Sequence, residues 1–185
     1  MPIRAFIAAE LPPPVKDELM AAGRALERKG LHTRWLGPDN LHLTLKFLGN
    51  IDEALVPQLG AELDGLLAGV PPLSLSLDRL GAFPNRRAAR VIWAGLAGET
   101  ARLAELAAAI DRICALHGIL PEKRPFRGHI TLARLKNPSM LDLDTNLPTA
   151  DFTLDKVNLY ASTLSRDGAS YRVLHGTALG SQGGI

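Results

Sequence analysis

Cysteine is nearly missing from this chain: Cys114 is the only one in 185 residues. An intrachain disulfide framework is therefore excluded. Cys114 falls in a helical pattern with no histidine or basic residue placed to activate a thiolate, so it reads as a small buried hydrophobe. Long apolar runs are missing too, and no stretch reaches the length of a membrane-spanning helix. The short run Phe6-Ile-Ala-Ala9 ends in Glu10 and falls short of a signal peptide. A cytoplasmic protein is the expectation. An excess of charge of either sign is likewise absent: 21 Lys and Arg face 19 Asp and Glu, a net +2. That balance lacks the dense basic stripe of a dedicated duplex-DNA binder and leaves room for a short anionic ligand. What remains is 46% hydrophobic and 22% charged, which argues against disorder and suits one compact domain or two small lobes sharing a core.

Periodicity divides the chain into elements. Residues 4–10 read as a buried strand, and Pro12-Pro13-Pro14 primes a helix through Arg28 with Val15, Leu19, Ala22 and Leu26 on one stripe. A strand is expected over 41–48, closed by Gly49-Asn50. Asp52 then caps a helix carrying Leu55, Leu59, Leu63 and Leu66. Leu73-Ser-Leu-Ser-Leu77 alternates as a half-buried strand does, and 90–96 reads as the next one. The longest helix is expected over 100–117, with Leu103, Leu106, Ile110 and Ile113 inward and Gly118 ending it. A strand over 128–135 follows. Residues 137–150 read as loop with one helical turn, and strands over 152–164 and 171–179 turn around Arg166-Asp167-Gly168. Residues 180–185 have the composition of a flexible tail.

An internal repeat organises these elements. His42-Leu-Thr44-Leu45 returns as His129-Ile-Thr131-Leu132, 87 positions later. The same shift carries the first strand and first helix onto a later strand and helix. Leu77-Asp-Arg-Leu80 and Leu154-Asp-Lys-Val157 form a weaker echo. The expectation is a single domain over residues 1–185, made of two intertwined, similar lobes.

On a strand, alternate side chains share a face. His42 and Thr44 then face one way, as do His129 and Thr131, while the flanking leucines and Ile130 anchor in the core. The same parity puts Asn40 and Lys46 on the first polar face and Arg127 on the second. Two imidazoles facing one phosphate suit acid-base catalysis, since an ordinary histidine titrates near neutrality and one can be neutral while the other is charged. Threonine hydroxyls and cationic side chains suit the non-bridging oxygens. A lone histidine on a strand is more often structural, and it is the second copy at a matching place that raises the odds. Zinc is disfavoured: two imidazoles with no acidic residue on their faces fall short of the usual three or four ligands. His32, His117 and His175 read as structural or solvated. Arg86-Arg87-Ala-Ala-Arg90 reads as an RNA-phosphate contact or a solvated turn, and Trp35 and Phe83 as base-stacking surfaces or core.

Taken together, these residues resemble the RNA 2′,3′-cyclic phosphodiesterase family of the two-histidine phosphoesterase superfamily, whose bacterial members are also known as RNA 2′-5′ ligases. The likeness covers nearly the whole chain. It runs through Arg4-Ala-Phe-Ile-Ala8, Arg34-Trp35, Asn40-Leu-His-Leu-Thr-Leu-Lys-Phe-Leu-Gly49 and Gly81-Ala-Phe-Pro-Asn85. It continues in Arg90-Val-Ile-Trp93, Pro125-Phe-Arg-Gly-His-Ile-Thr-Leu-Ala-Arg134, and Ser162, Leu164, Gly168 and Tyr171. The resemblance implies a bilobal α+β fold with pseudo-twofold symmetry, antiparallel sheets lining a central cleft and helices outside. It implies hydrolysis of a terminal 2′,3′-cyclic phosphate to a 2′-phosphomonoester without metal or cofactor. His42 would be the proton donor, His129 the proton acceptor, and Thr44 and Thr131 the phosphate holders. Lys46, Arg127 and Arg134 are candidate substrate-binding residues. Arg134 matches a family position yet lies off the parity of His129, and Gly128 stands where the family often has proline. The partners implied are RNA or nucleotides with cyclic phosphate ends, acted on by a monomer with no obligatory protein partner. The alternatives are 2′-5′ RNA ligation at the same site and a non-catalytic RNA-binding module.

Overall fold

The computed structural model describes residues 1–144, 147–165 and 168–180. The elements are β1 (Pro2–Ala9), α1 (Pro13–Arg28), β2 (Arg34–Trp35), β3 (Leu43–Asp52), α2 (Val56–Leu67), β4 (Leu73–Phe83) and β5 (Ala89–Gly98). They continue as α3 (Thr100–Leu116), β6 (His129–Ser139), β7 (Asp151–Leu154), β8 (Lys156–Ser165) and β9 (Gly168–Ala178). The helices follow their apolar stripes: Val15, Leu19, Ala22 and Leu26 are buried from α1, and Leu103, Leu106, Ile110 and Cys114 from α3. Asp52 accepts a hydrogen bond from the Ala54 N–H and so caps the short 3₁₀ turn that leads into α2.

Among the described residues the strands form one antiparallel sheet in the order β7-β4-β5-β6-β3-β1-β8-β9, with β2 added beside β6. The expected pair of sheets is thus two halves of one. The first half is β3-β1-β8-β9, and the second is β6-β5-β4-β7. They are intertwined because β4, which follows β3 in the chain, pairs into the second half, and β8 pairs back into the first. Where the halves meet, β3 and β6 share a single residue pair, Leu43 with Ile130. These two residues are themselves 87 positions apart, so the pseudo-twofold axis passes between the two motifs.

The repeat is less uniform than the sequence suggests. Ala8 stands beside Thr44 as Trp93 stands beside Thr131. The first strands of the two halves are therefore offset by 85 positions and the motif strands by 87. The stretch read as one strand over 152–164 also divides. Phe152 and Leu154 pair with β4 in one half, and after Asp155 the chain crosses to pair with β1 in the other. The helical turn expected within 137–150 is not found among the described residues, and β6 instead runs on to Ser139. Of the turn at 166–168 only Gly168 is described. Of the tail only Gly180 is described, and its N–H donates to the Leu67 carbonyl at the end of α2.

One core serves both halves. Ile7, Leu43, Leu45, Ile130 and Leu132 from the central strands join Leu19 and Leu26 of α1, Leu59 and Leu63 of α2, and Leu103 and Ile110 of α3. The face of the sheet turned away from these helices carries the polar half of each motif.

Candidate active site

Both motif strands carry a β-bulge at the same place. In β3, Ile7 pairs with Lys46 and Ala8 with Thr44, so Leu45 is the extra residue. In β6, Ile92 pairs with Ala133 and Trp93 with Thr131, so Leu132 is extra. A bulge places two residues opposite one and resets the alternation. As a result Leu45 and Lys46 are both buried, as are Leu132 and Ala133. The open face then reads His42, Thr44, Phe47 in one half and His129, Thr131, Arg134 in the other.

The bulges correct two readings of strand parity. Lys46 does not share the face of His42. Its side chain is only 1% exposed, and its ammonium lies 2.6 Å from Asp111 Oδ1 and donates to the Leu120 carbonyl at 2.7 Å, on the helix side. Arg134, placed off the cleft by strict alternation, comes onto it. Its positive charge acts on both His42 and Tyr171. The parity of Thr44 and Thr131 stands, because both precede their bulges.

The two imidazoles are held alike. His42 Nδ1 is 2.8 Å from the Asn40 carbonyl, and His129 Nδ1 is 2.7 Å from the Arg127 carbonyl, each two residues back. A carbonyl accepts only, so Nδ1 is the protonated nitrogen in both rings. Nε2 is left free to take or give a proton. Asn40 is tied in turn, its side-chain N–H donating to the Ala169 carbonyl on β9. One step either side of the Leu43–Ile130 pair, the antiparallel register sets His42 opposite Thr131 and Thr44 opposite His129.

Their surroundings differ. His42 sits among Phe6, at 4.8 Å between ring centroids, and Tyr171, edge-on at 5.2 Å, with Tyr160 behind. That burial pushes its pKa down to about 4. The hydrogen bond to the Asn40 carbonyl opposes the shift, and the charges of Arg134, Lys16 and His129 add to it. Tyr160 is fixed from outside: Asn158, buried at 1%, donates to its hydroxyl at 2.9 Å and to Glu10 at 3.2 Å. On the other side His129 meets Phe83 edge-on at 5.1 Å and Trp93 at 6.3 Å. It opens on a groove of about 510 Å³ whose lining includes Phe83, Trp93, Phe126 and Arg127.

Phe83 thus faces the groove, whereas Trp35 packs its ring against Gly23 of α1. The remaining histidines lie elsewhere. His117 pairs with Glu62 at 2.9 Å and His175 with Asp64 at 2.8 Å, both fastening α2 to its neighbours. Cys114 is buried and its thiol is pushed up to about 11 by that burial. Among the described residues no group of three or more His, Cys, Asp or Glu converges as a metal would require. Sequence reasoning missed the aromatic walls, Phe6, Tyr160, Tyr171 and Trp93, because they come from strands far apart in the chain.

Two histidines and two threonines, juxtaposed on a pseudo-twofold axis and flanked by an arginine, define a two-histidine phosphoesterase. The pattern of the LigT-like phosphoesterases matches residues 10–93 and 95–171, and the chain belongs to that family. It is 30% identical over 177 residues to the RNA 2′,3′-cyclic phosphodiesterase of Thermotoga maritima, covering 94% of each chain. Among solved structures it resembles TT0787 of Thermus thermophilus, with a TM-score of 0.84 at 30% identity over 97% of this chain and all of that one. It also resembles E. coli LigT complexed with 3′-AMP, with a TM-score of 0.74 at 30% identity over 97% and 99%.

Proposed function

We propose that this protein hydrolyses the terminal 2′,3′-cyclic phosphate of RNA or of a nucleotide to a 2′-phosphomonoester, by acid-base catalysis between His42 and His129. The observation that carries the reading is the Leu43–Ile130 pair, which brings the two motifs side by side across one axis. In the reaction, water adds to phosphorus as His129 Nε2 takes its proton. The bond from phosphorus to the 3′ oxygen breaks, and His42 Nε2 gives its proton to that oxygen. Thr44 and Thr131 donate hydrogen bonds to the non-bridging oxygens, and Arg134 offsets the charge that builds on them. The groove beside His129, with Phe83 and Trp93 on its walls, has room for the rest of the nucleotide. The enzyme acts in this reading as a cytoplasmic monomer.

The low pKa of His42 bears on its role as donor. In the free protein burial keeps it neutral at pH 7. A bound phosphodiester places a negative charge beside it, which favours the protonated ring and equips it to give the proton up. The test is turnover of 2′,3′-cyclic nucleotides and of cyclic-ended RNA in excess chelator. A 2′-phosphate product is expected, with rate losses of about 10²–10⁴-fold in each of His42→Ala and His129→Ala. No turnover by the wild type, or full activity in both variants, overturns the proposal. Joining to a supplied 5′-hydroxyl end in place of hydrolysis would assign the site to ligation.

A further inference from the structure

Lys46 lies directly behind the active site, two residues past Thr44, yet has no access to it. Its ammonium donates to Asp111 Oδ1 at 2.6 Å and to the Leu120 carbonyl at 2.7 Å, and Glu122 Oε1 lies within ion-pair range at 3.7 Å. All three belong to α3 or to the connection between α3 and His129. Asp111 is shared, since its carboxylate also accepts from the Glu122 N–H at 3.3 Å. Burying a lysine is costly unless its charge is paired and hydrogen-bonded, and apolar side chains of similar volume often hold a fold as well. An arrangement this exacting therefore does more than fill space.

The two halves of the sheet share one residue pair at β3 and β6. Past that pair the edge of β6 is taken by β2, through Arg34 with Arg134 and Trp35 with Ala133. Ala133 is the 87-residue counterpart of Lys46. At the equivalent place the second half is thus held by an added strand and the first by the Lys46 cluster. That cluster reaches from β3, which carries Thr44, across to the segment that delivers His129.

We propose that Lys46 is a positioning residue that fixes the separation of the two histidine-bearing halves, by tying β3 to Asp111 and to the connection leading into His129. The inference rests on the two-histidine reading above, since only a site split between the halves is sensitive to their separation. In-line displacement needs both histidines aligned about phosphorus, a stricter demand than the hydrogen bonds that Thr44 and Thr131 make to a phosphate ion.

The experiment compares wild type with K46M/D111L, which replaces the ion pair by an apolar pair, and with D111N. Melting temperature, and kcat and KM on a 2′,3′-cyclic nucleotide, are measured in chelator, and affinity for inorganic phosphate and for vanadate in metal-free buffer without it. Vanadate serves because it adopts the five-coordinate geometry of the displacement. K46M/D111L is expected to melt within a few degrees of wild type. Its kcat should fall at least tenfold with KM changed less than threefold. Vanadate binding should weaken at least tenfold and phosphate binding less than threefold. A merely structural role would lower the active fraction and leave the vanadate-to-phosphate ratio unchanged. Should K46M/D111L fail to fold, D111N carries the same test with a severalfold effect on that ratio. Wild-type kcat and an unchanged ratio in the folded variants overturn the inference. A wild type that binds both anions without turning over cyclic nucleotide overturns the parent reading instead, and the ratio still tests Lys46.

Discussion

His42 and His129 share a backbone bond and differ in their company. His42 is walled by Phe6, Tyr160 and Tyr171, and His129 stands at the mouth of a groove. The difference is measurable at His42. Its ring should titrate near 4 in the free protein by NMR and move upward when phosphate or a nucleoside 2′-phosphate binds. Stability should follow by linkage. Between the ordinary histidine value of 6.5 and about 4, the unfolded chain binds the proton and the folded chain does not. Stability is therefore fully present above 6.5 and declines as pH falls toward 4, by up to about 3 kcal/mol. Urea unfolding at pH 7 and pH 4, in wild type and His42→Gln, isolates this contribution, and the variant should show the shallower dependence. Arg134 supplies a second prediction at this scale. Arg134→Ala should lower kcat/KM roughly tenfold or more, as expected for a cation facing a developing anion. Its KM and kcat together show whether the loss falls on binding or on turnover.

Strands and their irregularities decide which of these side chains meet. Both motifs were legible in the sequence as alternating strands, and the alternation was right up to the fourth residue of each. Beyond it the bulges at Leu45 and Leu132 reset the face, which sent Lys46 to the helices and brought Arg134 to the site. A bulge depends on how a strand fits its neighbour, and that neighbour is β1 in one half and β5 in the other. No local signal in β3 or β6 alone fixes it. Neighbouring strands also make room for the aromatic walls. Gly81 on β4 stands opposite Trp93 on β5, and a Cβ there would run into the indole ring. Gly81→Ala should therefore cost about 1–3 kcal/mol by overpacking, read as a lower urea midpoint. It should also lower kcat/KM, because Trp93 and Phe83 pack against His129.

At the scale of the molecule, two curved half-sheets are joined at one backbone pair and by one core. Leu43 and Ile130 are fully buried at that join. Ile130→Ala should cost about 2–5 kcal/mol, since the cavity opens where few atoms can close in. Because core residues from both halves form one cluster, unfolding should be a single transition. Tryptophan fluorescence, which includes Trp93 in the second half, should share its midpoint with far-UV circular dichroism. Separate midpoints would mean that the halves unfold independently.

By itself the sequence determined the three long helices, the strand character of both motifs and the near-twofold repeat. These are local or periodic properties: helical stripes, alternation, and the recurrence of one tetrapeptide. Only the tertiary structure decided that the halves exchange β4 and β8, that Phe6, Tyr160 and Tyr171 bury one histidine and leave the other open, and that Lys46 and Arg134 trade faces. The physical reason is common to all three. Each depends on register between strands distant in the chain, and a shift of one residue in register turns a side chain from the cleft to the core.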